Sequence, residues 1–379
     1  MQYTIFPKLN IKVSRFGMGC MRFPKKTDET GKRITDEQES IKMIRYAIEN
    51  GVNYFDTAYV YKDSETTVGK ALNGGLREKI FLATKSPVGM FQKQEDFDFY
   101  LDESLKRLQT GYIDFYLLHG LNKNCWEKVK KFKLIDKLDK AKKDGKIIYR
   151  AFSFHDDLNL FKEIIDSYNW DMCQIQLNFI GENFQAGVEG LKYAASKGIG
   201  VVIMEPLLGG LLGENVPSDI LEKWNSSGIK RTPADWAFRW LANFPEVALI
   251  LSGVSTMEQL KENIKIFGKS FPDSMTEIEA ETFKEVKKLY DKKLKIKCTG
   301  CSYCMPCPSG VDIPGVLWQY NSAFRSDPEI VKEGYGSWFC HNKMDASQCI
   351  ECGECEEKCP QHIAIIDELK AAHEYLKSR

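Results

Sequence analysis

Apolar and polar positions along the first 267 residues follow two different patterns, one typical of strands and one typical of helices. Short apolar runs, typical of buried strands, are separated by longer segments whose apolar residues recur with a helical period. The eight apolar runs are RFGMGCMRF, NYFDTA, IFLATK, IDFYLLHG, YRAFSFH, MCQIQLN, GVVIMEP and VALILSGV. Eight strand–helix units in about 260 residues predict an α/β fold of the (β/α)8 TIM-barrel type in preference to an open doubly wound sheet.

The segments between these runs have the pattern of amphipathic helices. The clearest are DEQESIKMIRYAIEN, QEDFDFYLDESLKRLQ, EKVKKFKLIDKLDKAKKDG and VEGLKYAASKG, and several end with a glycine that can cap the helix. A later helical pattern begins with Thr276 and Glu279 in the spacing of a capping box. No GxGxxG motif follows an early strand, so the usual dinucleotide-binding sheet is not indicated.

Composition and charge narrow the class of protein. Apolar residues make up 43% of the 379, enough for a substantial core, and 53 basic residues balance 53 acidic ones. This balance gives no reason to expect nucleic acid or an anionic membrane as a partner. The chain shows neither an N-terminal signal pattern nor an apolar run of roughly 18 residues that could cross a membrane. We therefore expect a cytoplasmic protein.

The cysteines are concentrated near the C-terminus. Only Cys20, Cys125 and Cys173 of the 12 lie in the first 297 residues. A cytoplasmic compartment keeps thiols reduced, so this distribution does not indicate a disulfide framework. The change in composition near residue 293 predicts two domains, a barrel over residues 1–292 and a small C-terminal domain over residues 293–379.

Polar residues with complementary chemistry stand at or just after predicted strand ends. Asp56, Lys85 and His119 end their apolar runs, and Tyr61 follows Asp56 by five residues. The C-terminal strand ends of such a barrel form the face where chemistry takes place. A lone Lys or His there is more often structural, but four groups that compose one mechanism favour a catalytic site.

The mechanism that these four groups compose is proton delivery to a carbonyl oxygen. A free tyrosine, with a pKa of about 10, is too weak an acid for this task near neutral pH. The Lys85 ammonium would stabilise the phenolate, while Asp56 would hold Lys85 charged and in place. His119 would orient the carbonyl or pass a proton. Tyr61 is then the proton donor, and a hydride must come from a cofactor.

The motifs FDTAYVY, FLATK and DFYLLHG, in this order and spacing, resemble the aldo-keto reductases over about residues 1–290. The resemblance implies that Asp56, Tyr61, Lys85 and His119 form the family's catalytic tetrad. It also implies an enzyme that takes hydride from NADPH or NADH and acts on a small-molecule carbonyl or alcohol.

The same resemblance implies a nicotinamide nucleotide site. Its expected residues are Ser153, Gln174, Met204, Pro206, Leu207, Gly253, Ser255, Gln259, Glu262 and Asn263. Phe154 stands where the family has Asn, and Met204 replaces the aromatic residue that often stacks on the nicotinamide. The Lys and Arg that many NADP-using members direct at the 2′-phosphate align with Gly253 and Gln259, so the choice between NAD and NADP stays open.

Two cysteine runs occupy the C-terminal region, CTGCSYCMPCP at 298–308 and CIECGECEEKCP at 349–360. The second run fits the C-x2-C-x2-C-x3-C-P pattern of two-cluster ferredoxins in full, and the first is one residue short in its last gap. Zinc held by paired CxxC units is the alternative.

The resemblance to the two-cluster ferredoxin module covers about residues 293–379. It implies a ferredoxin-like domain with two [4Fe–4S] clusters and crossed ligands. One cluster is expected on Cys298, Cys301, Cys304 and Cys359, and the other on Cys349, Cys352, Cys355 and Cys307. Aldo-keto reductases with this appendage form a subgroup found mostly in anaerobic microbes, and this chain resembles them.

The leading interpretation is therefore an oxidoreductase that interconverts a carbonyl and an alcohol. Its clusters would be structural, redox-sensing or coupled to a one-electron partner of the ferredoxin or flavin type. One alternative is an electron-transfer protein whose barrel only binds nucleotide, and another is a subunit that senses the nucleotide ratio. The absence of a separate flavin motif disfavours the first alternative, and the intact tetrad disfavours the second. The loops GLNKNCWEK and LLGGLLGENVPSD carry no readable code for a substrate.

Overall fold

The computed structural model of the protein describes residues 1–214, 216–324 and 328–377. The strands are β1 (Tyr3–Ile5), β2 (Lys12–Ser14), β3 (Phe16–Gly19), β4 (Lys25–Thr27), β5 (Arg33–Thr35), β6 (Tyr54–Asp56), β7 (Phe81–Ser86), β8 (Ile113–Leu121), β9 (Ile147–Phe154), β10 (Met172–Gln176), β11 (Gly200–Met204) and β12 (Val247–Gly253).

The α-helices surround and follow these strands. They are α1 (Glu37–Glu49), α2 (Ser64–Ala71), α3 (Asp96–Leu108), α4 (Lys123–Lys131), α5 (Leu134–Lys143), α6 (Leu158–Ser167), α7 (Gly187–Ser196), α8 (Ser218–Ser226), α9 (Pro233–Ala242), α10 (Met257–Phe267), α11 (Glu277–Lys293), α12 (Ile313–Ala323), α13 (Pro328–Gly334), α14 (Glu354–Glu357) and α15 (Ile365–Lys377). No helix in the described ranges is long and apolar enough to cross a membrane.

Eight of the strands close into a parallel barrel. Around the barrel they follow one another in chain order as β3, β6, β7, β8, β9, β10, β11 and β12, and β12 pairs with β3 to complete the ring. Each predicted apolar run overlaps one of these strands, so the prediction of a (β/α)8 barrel is confirmed. The remaining strands form two antiparallel pairs, β1 with β2 and β4 with β5.

Large apolar side chains fill one end of the barrel. Phe6 packs against Phe115 with ring centroids 5.5 Å apart, and Tyr54 packs against the same ring at 5.6 Å. Gly200, the first residue of β11, leaves room for the Phe6 ring, which a Cβ at that position would overlap. Because Gly200 and Phe115 lie near the starts of their strands, this packing closes the N-terminal end and leaves the chemistry to the C-terminal end.

One predicted helix is two helices. The pattern EKVKKFKLIDKLDKAKKDG predicts a continuous helix, but the chain breaks between α4 and α5, where Lys133 adopts a left-handed φ of 51°. The reason lies in the spacing of the buried side chains. The step of five from Val129 to Leu134 exceeds the three- or four-residue spacing of one helical face, so a single straight helix could not bury both.

The described residues divide into two compact units. The first comprises Met1–Leu177, Gly181–Pro206 and Phe238–Ser274 and contains the whole barrel. The second comprises Asn178–Ile180, Leu207–Ala237 and Met275–Arg379. These units are defined by packing and are discontinuous in sequence. The predicted boundary between domains at residues 292 and 293 stays a prediction.

The second unit contains an aromatic group contributed by separate stretches of chain. The Trp224 and Trp236 rings stack at 4.6 Å with an interplanar angle of 16°. Phe283 of α11 meets both edge-on, at 5.1 Å and 5.5 Å. All three side chains are buried, so the segment at 207–237 and helix α11 share one core.

Helix α11 begins as its sequence predicts. The Thr276 backbone N–H donates to Glu279 Oε2 at 2.6 Å, and the Glu279 N–H donates to Thr276 Oγ1 at 3.3 Å. Both halves of the capping box are therefore present, and two backbone donors at the helix start are satisfied. The Glu279 carboxylate also pairs with Arg231, another residue of the second unit.

Candidate active site and metal centres

The four predicted catalytic residues lie together at the C-terminal end of the barrel. Asp56 is the last residue of β6, Lys85 is the fifth residue of β7, and His119 lies near the end of β8. Tyr61 lies in the loop between β6 and α2. Because neighbouring parallel strands end at the same rim, residues far apart in sequence become neighbours here.

Lys85 is the buried centre of this group. Its Nζ donates to Asp56 Oδ1 at 2.6 Å and to the Thr57 carbonyl oxygen at 2.7 Å, and its side chain is only 1% exposed. Burial raises the pKa of the Asp56 carboxyl, and the Lys85 charge opposes that rise. A buried charge of this kind is tolerated because it has both a counter-ion and hydrogen-bond acceptors.

Tyr61 lies close to both Lys85 and His119. Lys85 Nζ is 5.0 Å from the centroid of the Tyr61 ring, and the Tyr61 and His119 rings meet edge-on at 5.8 Å. Burial, followed by the Lys85 charge and the neighbouring His155, holds the pKa of His119 well below its usual range. His119 is therefore neutral near pH 7 and can share a hydrogen bond with a substrate oxygen without adding charge to the site.

Backbone hydrogen bonds hold the Tyr61 loop against the next strand. The Thr57 N–H donates to the Ala83 carbonyl at 2.9 Å, and the Tyr59 N–H donates to the Lys85 carbonyl at 3.4 Å. The Tyr61 N–H donates to the Ala58 carbonyl at 3.0 Å, which closes a tight turn. The loop is thus anchored on β7, the strand that carries Lys85.

Two predicted nicotinamide residues occupy paired positions on adjacent strands. Ser153 of β9 lies opposite Gln174 of β10 in the parallel register, and both are buried. Ser153 Oγ accepts a hydrogen bond from the Gly120 N–H at 2.8 Å, which leaves its own hydroxyl proton to donate. Gln174 Oε1 has no hydrogen-bond partner among the described residues. A donor and an acceptor side by side fit the carboxamide of a nicotinamide.

The residues after β11 lead from the first unit into the second. Met204 ends β11, Pro206 is the last residue of that stretch of the first unit, and Leu207 begins the second unit. Within the second unit the loop at Gly209 lies against the first cysteine run, because a Cβ at Gly209 would overlap the carbonyl oxygen of Thr299.

Two of the residues predicted for the adenine end of the nucleotide site make hydrogen bonds with nearby residues of the protein. Gln259 Oε1 accepts from the Ser255 N–H at 2.8 Å, and Asn263 Nδ2 donates to the Ser252 hydroxyl at 3.1 Å. Glu262 lies half-buried on α10, between Gln259 and the end of the helix.

Gly253, the last residue of β12, lies against the side chain of Arg22, which no motif in the sequence indicates. The Arg22 Cβ lies 3.3 Å from where a Cβ of Gly253 would stand, and the Ser255 hydroxyl donates to the Arg22 carbonyl at 2.9 Å. Arg22 is part of the first apolar run, RFGMGCMRF, and lies three residues after the end of β3, where a polar residue is the only sequence signal.

The cysteines of the two runs interleave in the second unit. One crevice is lined by Cys307 of the first run together with Cys349, Cys352 and Cys355 of the second. Cys304 also reaches the edge of this crevice. The crossed position of Cys307 is the one that the ferredoxin pattern predicts for a ligand of the second cluster.

The other group of cysteines forms around Cys304. Burial, together with the neighbouring Cys301, Cys298 and Cys359 thiols, raises the pKa of Cys304 to about 12. Cys359 of the second run therefore lies close to the first run. Six of the eight cysteines pack against the apolar core formed by α12, α13 and α15 and are partly buried.

The donor set suits clusters better than single ions. Among the described residues, no three His, Cys, Asp or Glu side chains are grouped closely enough to hold one metal ion. A tetrahedral zinc ion draws its four ligands around one atom, whereas a [4Fe–4S] cluster binds each thiolate at a separate iron. The cysteines around Cys304 and those beside Cys307 each include members of both runs, as the two-cluster pattern requires.

A closed (β/α)8 barrel with this quartet at its C-terminal end, joined to two cysteine runs, defines a barrel oxidoreductase with an iron–sulfur segment. The chain belongs to the Aldo/keto reductase family, whose model matches residues 15–282. A second model, the 4Fe-4S dicluster domain, matches residues 297–364.

Known proteins resemble the barrel portion. The uncharacterized oxidoreductase YrpG of Bacillus subtilis is 28% identical over 309 residues, which cover 70% of this chain and 90% of the relative. The L-galactose dehydrogenase of Arabidopsis thaliana is 28% identical over 287 residues, 67% of this chain and 85% of the relative. The holo form of aldo-keto reductase AKR11C1 from Bacillus halodurans aligns with a TM-score of 0.62 at 26% identity, covering 76% of this chain and 96% of that structure.

Proposed function

We propose that this protein interconverts a small-molecule carbonyl compound and its alcohol, using NADH or NADPH, with Tyr61 as the proton donor. One observation carries the proposal. The fully buried Lys85 pairs with its counter-ion Asp56 and lies 5.0 Å from the centroid of the Tyr61 ring, and this ring meets a neutral His119 edge-on. A barrel that only binds or senses a nucleotide has no need of a proton donor supported in this way.

The proposed chemistry divides the work between the nucleotide and the side chains. When bound, a reduced nicotinamide supplies the hydride that reaches the carbonyl carbon. Tyr61 gives the phenolic proton to the carbonyl oxygen, which completes the alcohol. Lys85 stabilises the phenolate that remains, and Asp56 balances the Lys85 charge. The neutral His119 donates a hydrogen bond to the same oxygen and so orients the carbonyl.

In this proposal the nucleotide is held by residues of several strand ends. Ser153 and Gln174 bind the carboxamide, and the Met204 thioether covers a face of the ring. The remaining proposed contacts are Pro206, Leu207, Gly253, Ser255, Gln259, Glu262 and Asn263. Since Gln259 and Asn263 already make hydrogen bonds within the protein, we propose that they shape the adenine end of the site rather than bind the base strongly.

We propose further that the eight cysteines bind two [4Fe–4S] clusters with crossed ligands. The packing of six of these cysteines against the apolar core of the second unit supports a structural role for both clusters. A hydride carries two electrons and a [4Fe–4S] cluster passes one, so the clusters take no part in the hydride step in this proposal.

Anaerobic purification followed by metal, sulfide and nucleotide measurements tests the proposal. We expect about eight iron and about eight sulfide per chain and, after reduction, an EPR signal typical of reduced [4Fe–4S] centres. The same preparation should oxidise NADH or NADPH in the presence of benzaldehyde as a generic carbonyl. Bound zinc without sulfide would overturn the cluster assignment, and tight nucleotide binding without turnover of any carbonyl or alcohol in a broad panel would overturn the enzymatic one.

A further inference from the structure

Arg107, in the last turn of α3, reaches the loop that carries Tyr61. Its Nη1 donates to the Tyr59 carbonyl oxygen at 3.2 Å, two residues before Tyr61. The guanidinium carbon also lies 4.0 Å from the centroid of the Tyr59 ring. A planar guanidinium can stack on a ring with its face and donate hydrogen bonds from its edge at the same time. The Arg107 guanidinium therefore contacts both the backbone and the ring of Tyr59.

A buried carboxylate fixes Arg107 in this position. Arg107 Nη1 lies 3.4 Å from Glu65 Oε2, and the Glu65 side chain is fully buried. The other Glu65 oxygen accepts from the Thr84 hydroxyl at 2.6 Å, and Thr84 directly precedes Lys85 on β7. A series of contacts through Glu65 and Arg107 therefore connects β7, which carries Lys85, with the loop that carries Tyr61.

We propose that Arg107 is a positioning residue for the proton donor: with Glu65 and Tyr59 it sets the distance between the Tyr61 hydroxyl and Lys85. This inference rests on the proposed function of Tyr61. Arg107 itself touches neither substrate nor nucleotide in this proposal. Its effect is on where the phenol stands, so it bears on the rate of the chemical step and little on binding.

The chain contains a matched control at the other end of the barrel. Arg77 pairs with the buried Asp114 at 2.7 Å, stacks on the Tyr112 ring at 4.1 Å and donates to the Tyr112 carbonyl at 3.0 Å. Its chemistry matches that of Arg107, with a buried carboxylate, a tyrosine ring and a tyrosine carbonyl. Asp114 lies five residues before His119 on β8, about 16 Å along the strand. Arg77 thus makes the same kind of contact far from the site.

The test compares Arg107→Lys with Arg77→Lys in the holoprotein. Lysine keeps the charge opposite the buried carboxylate but cannot stack and donate as a planar fork. With benzaldehyde as the probe, we expect Arg107→Lys to lower kcat about 10- to 100-fold, while KM and the Kd of the nucleotide stay within twofold. The solvent deuterium isotope effect on kcat should rise, because proton delivery becomes slower. Both lysine variants should lower the midpoint of unfolding. Arg77→Lys, however, should leave kcat and the isotope effect unchanged.

A second variant protects the test against misfolding. Tyr59→Leu removes the stacked ring and leaves the Arg107–Glu65 pair, and it should show the same change in kcat and isotope effect. Equal kcat values for the two lysine variants, with Tyr59→Leu unchanged in kcat, would overturn the positioning role. If Tyr61→Phe is inactive in that case, the proposed function stands and only the inference fails. If Tyr61→Phe is as active as wild type, the proposed function fails first.

Discussion

Lys85 Nζ lies 2.6 Å from Asp56 Oδ1 and 5.0 Å from the centre of the Tyr61 ring. The ammonium therefore has a carboxylate counter-ion in contact and the phenol ring close by. At 1% exposure it is shielded from bulk water, so its effect on a nearby phenolate is much stronger than it would be at the surface. In the proposed function this arrangement makes the phenol of Tyr61, and not the imidazole of His119, the proton donor.

Removal of the Tyr61 hydroxyl should abolish the chemistry and spare binding. Tyr61→Phe keeps the ring and deletes the proton donor, so kcat with benzaldehyde should fall about 10²–10⁴-fold. The Kd for NADH and NADPH, measured by calorimetry, should change less than twofold. Turnover by Tyr61→Phe within a factor of two of wild type would refute the assignment of the proton donor.

The two nucleotides should bind with similar affinity. In the proposed nucleotide site, Gly253 and Gln259 replace the lysine and the arginine that would meet the 2′-phosphate, so the extra phosphate of NADPH would lack their charge-assisted hydrogen bonds. We expect NADPH to be favoured over NADH by less than tenfold in Kd. Adding positive charge at Gln259 with Gln259→Arg should increase the preference for NADPH. A thousandfold preference in the wild type would show that the phosphate site lies elsewhere.

The proposed crossed ligation predicts different effects for two cysteines of the same run. Cys359→Ala should damage the cluster assigned to the first run, because Cys359 lies with Cys298, Cys301 and Cys304. Cys352→Ala, the control, should damage the cluster of the second run, because Cys352 lines the crevice with Cys307. EPR spectra of the two reduced variants should therefore lose different signals. Loss of the same signal in both would contradict the crossed arrangement.

A hydroxyl beside Cys307 should tune one cluster. The Ser309 Oγ lies 3.3 Å from Cys307 Sγ, and towards a ligating thiolate this hydroxyl must donate. Hydrogen bonds to cluster sulfur favour the more negative, reduced state. Ser309→Ala should therefore lower the reduction potential of the second-run cluster in an EPR-monitored titration. Ser337→Ala, which removes an exposed hydroxyl bonded to a backbone carbonyl, is the control and should leave both potentials unchanged.

The depressed pKa of His119 predicts how stability depends on pH. In the unfolded chain this histidine titrates near 6.5, whereas in the fold it stays neutral to lower pH. Between these two pKa values the unfolded chain binds more protons, so the free energy of unfolding falls as the pH drops through about 6.5. His119 alone contributes a slope of at most about 1.4 kcal/mol per pH unit.

Comparison with His119→Gln isolates this contribution from that of the buried carboxyls. Urea unfolding of wild type and variant, measured anaerobically between about pH 7.5 and about pH 5.5, should show a steeper loss of stability in the wild type. Parallel profiles would show that His119 is not held neutral in the fold.

The barrel is readable from the sequence because its strands are buried on both faces. Such strands form nearly continuous apolar runs, and all eight are visible between amphipathic helices. The capping box at Thr276 is readable for a similar reason, since its chemistry is local. The break at Lys133 is not, because a left-handed lysine has no side-chain signal. Only the spacing of Val129 and Leu134 hints at it.

The candidate site likewise has residues that the sequence indicates and residues that only the fold reveals. Asp56, Tyr61, Lys85 and His119 are indicated by strand ends and spacing, which the topology then brings to one rim. Arg107 is not indicated, because it lies 46 positions from Tyr61 and inside an ordinary helix. Its relation to Tyr59 and Glu65 exists only once α2 and α3 pack. The discontinuous second unit was equally hidden, because the stretch 207–237 lies between two barrel strands in the sequence.

The stacked Trp224 and Trp236 with Phe283 have a consequence for how the iron–sulfur module can be gained or lost in evolution. A chain shortened to end at Ser274 would lose Phe283 and expose two indole rings to water, which invites aggregation. A chain shortened to end at Lys293 would keep the aromatic group complete. Gene fusion or deletion would therefore be tolerated after α11 and selected against before it, so the ancestral joint between enzyme and module is expected at the end of that helix.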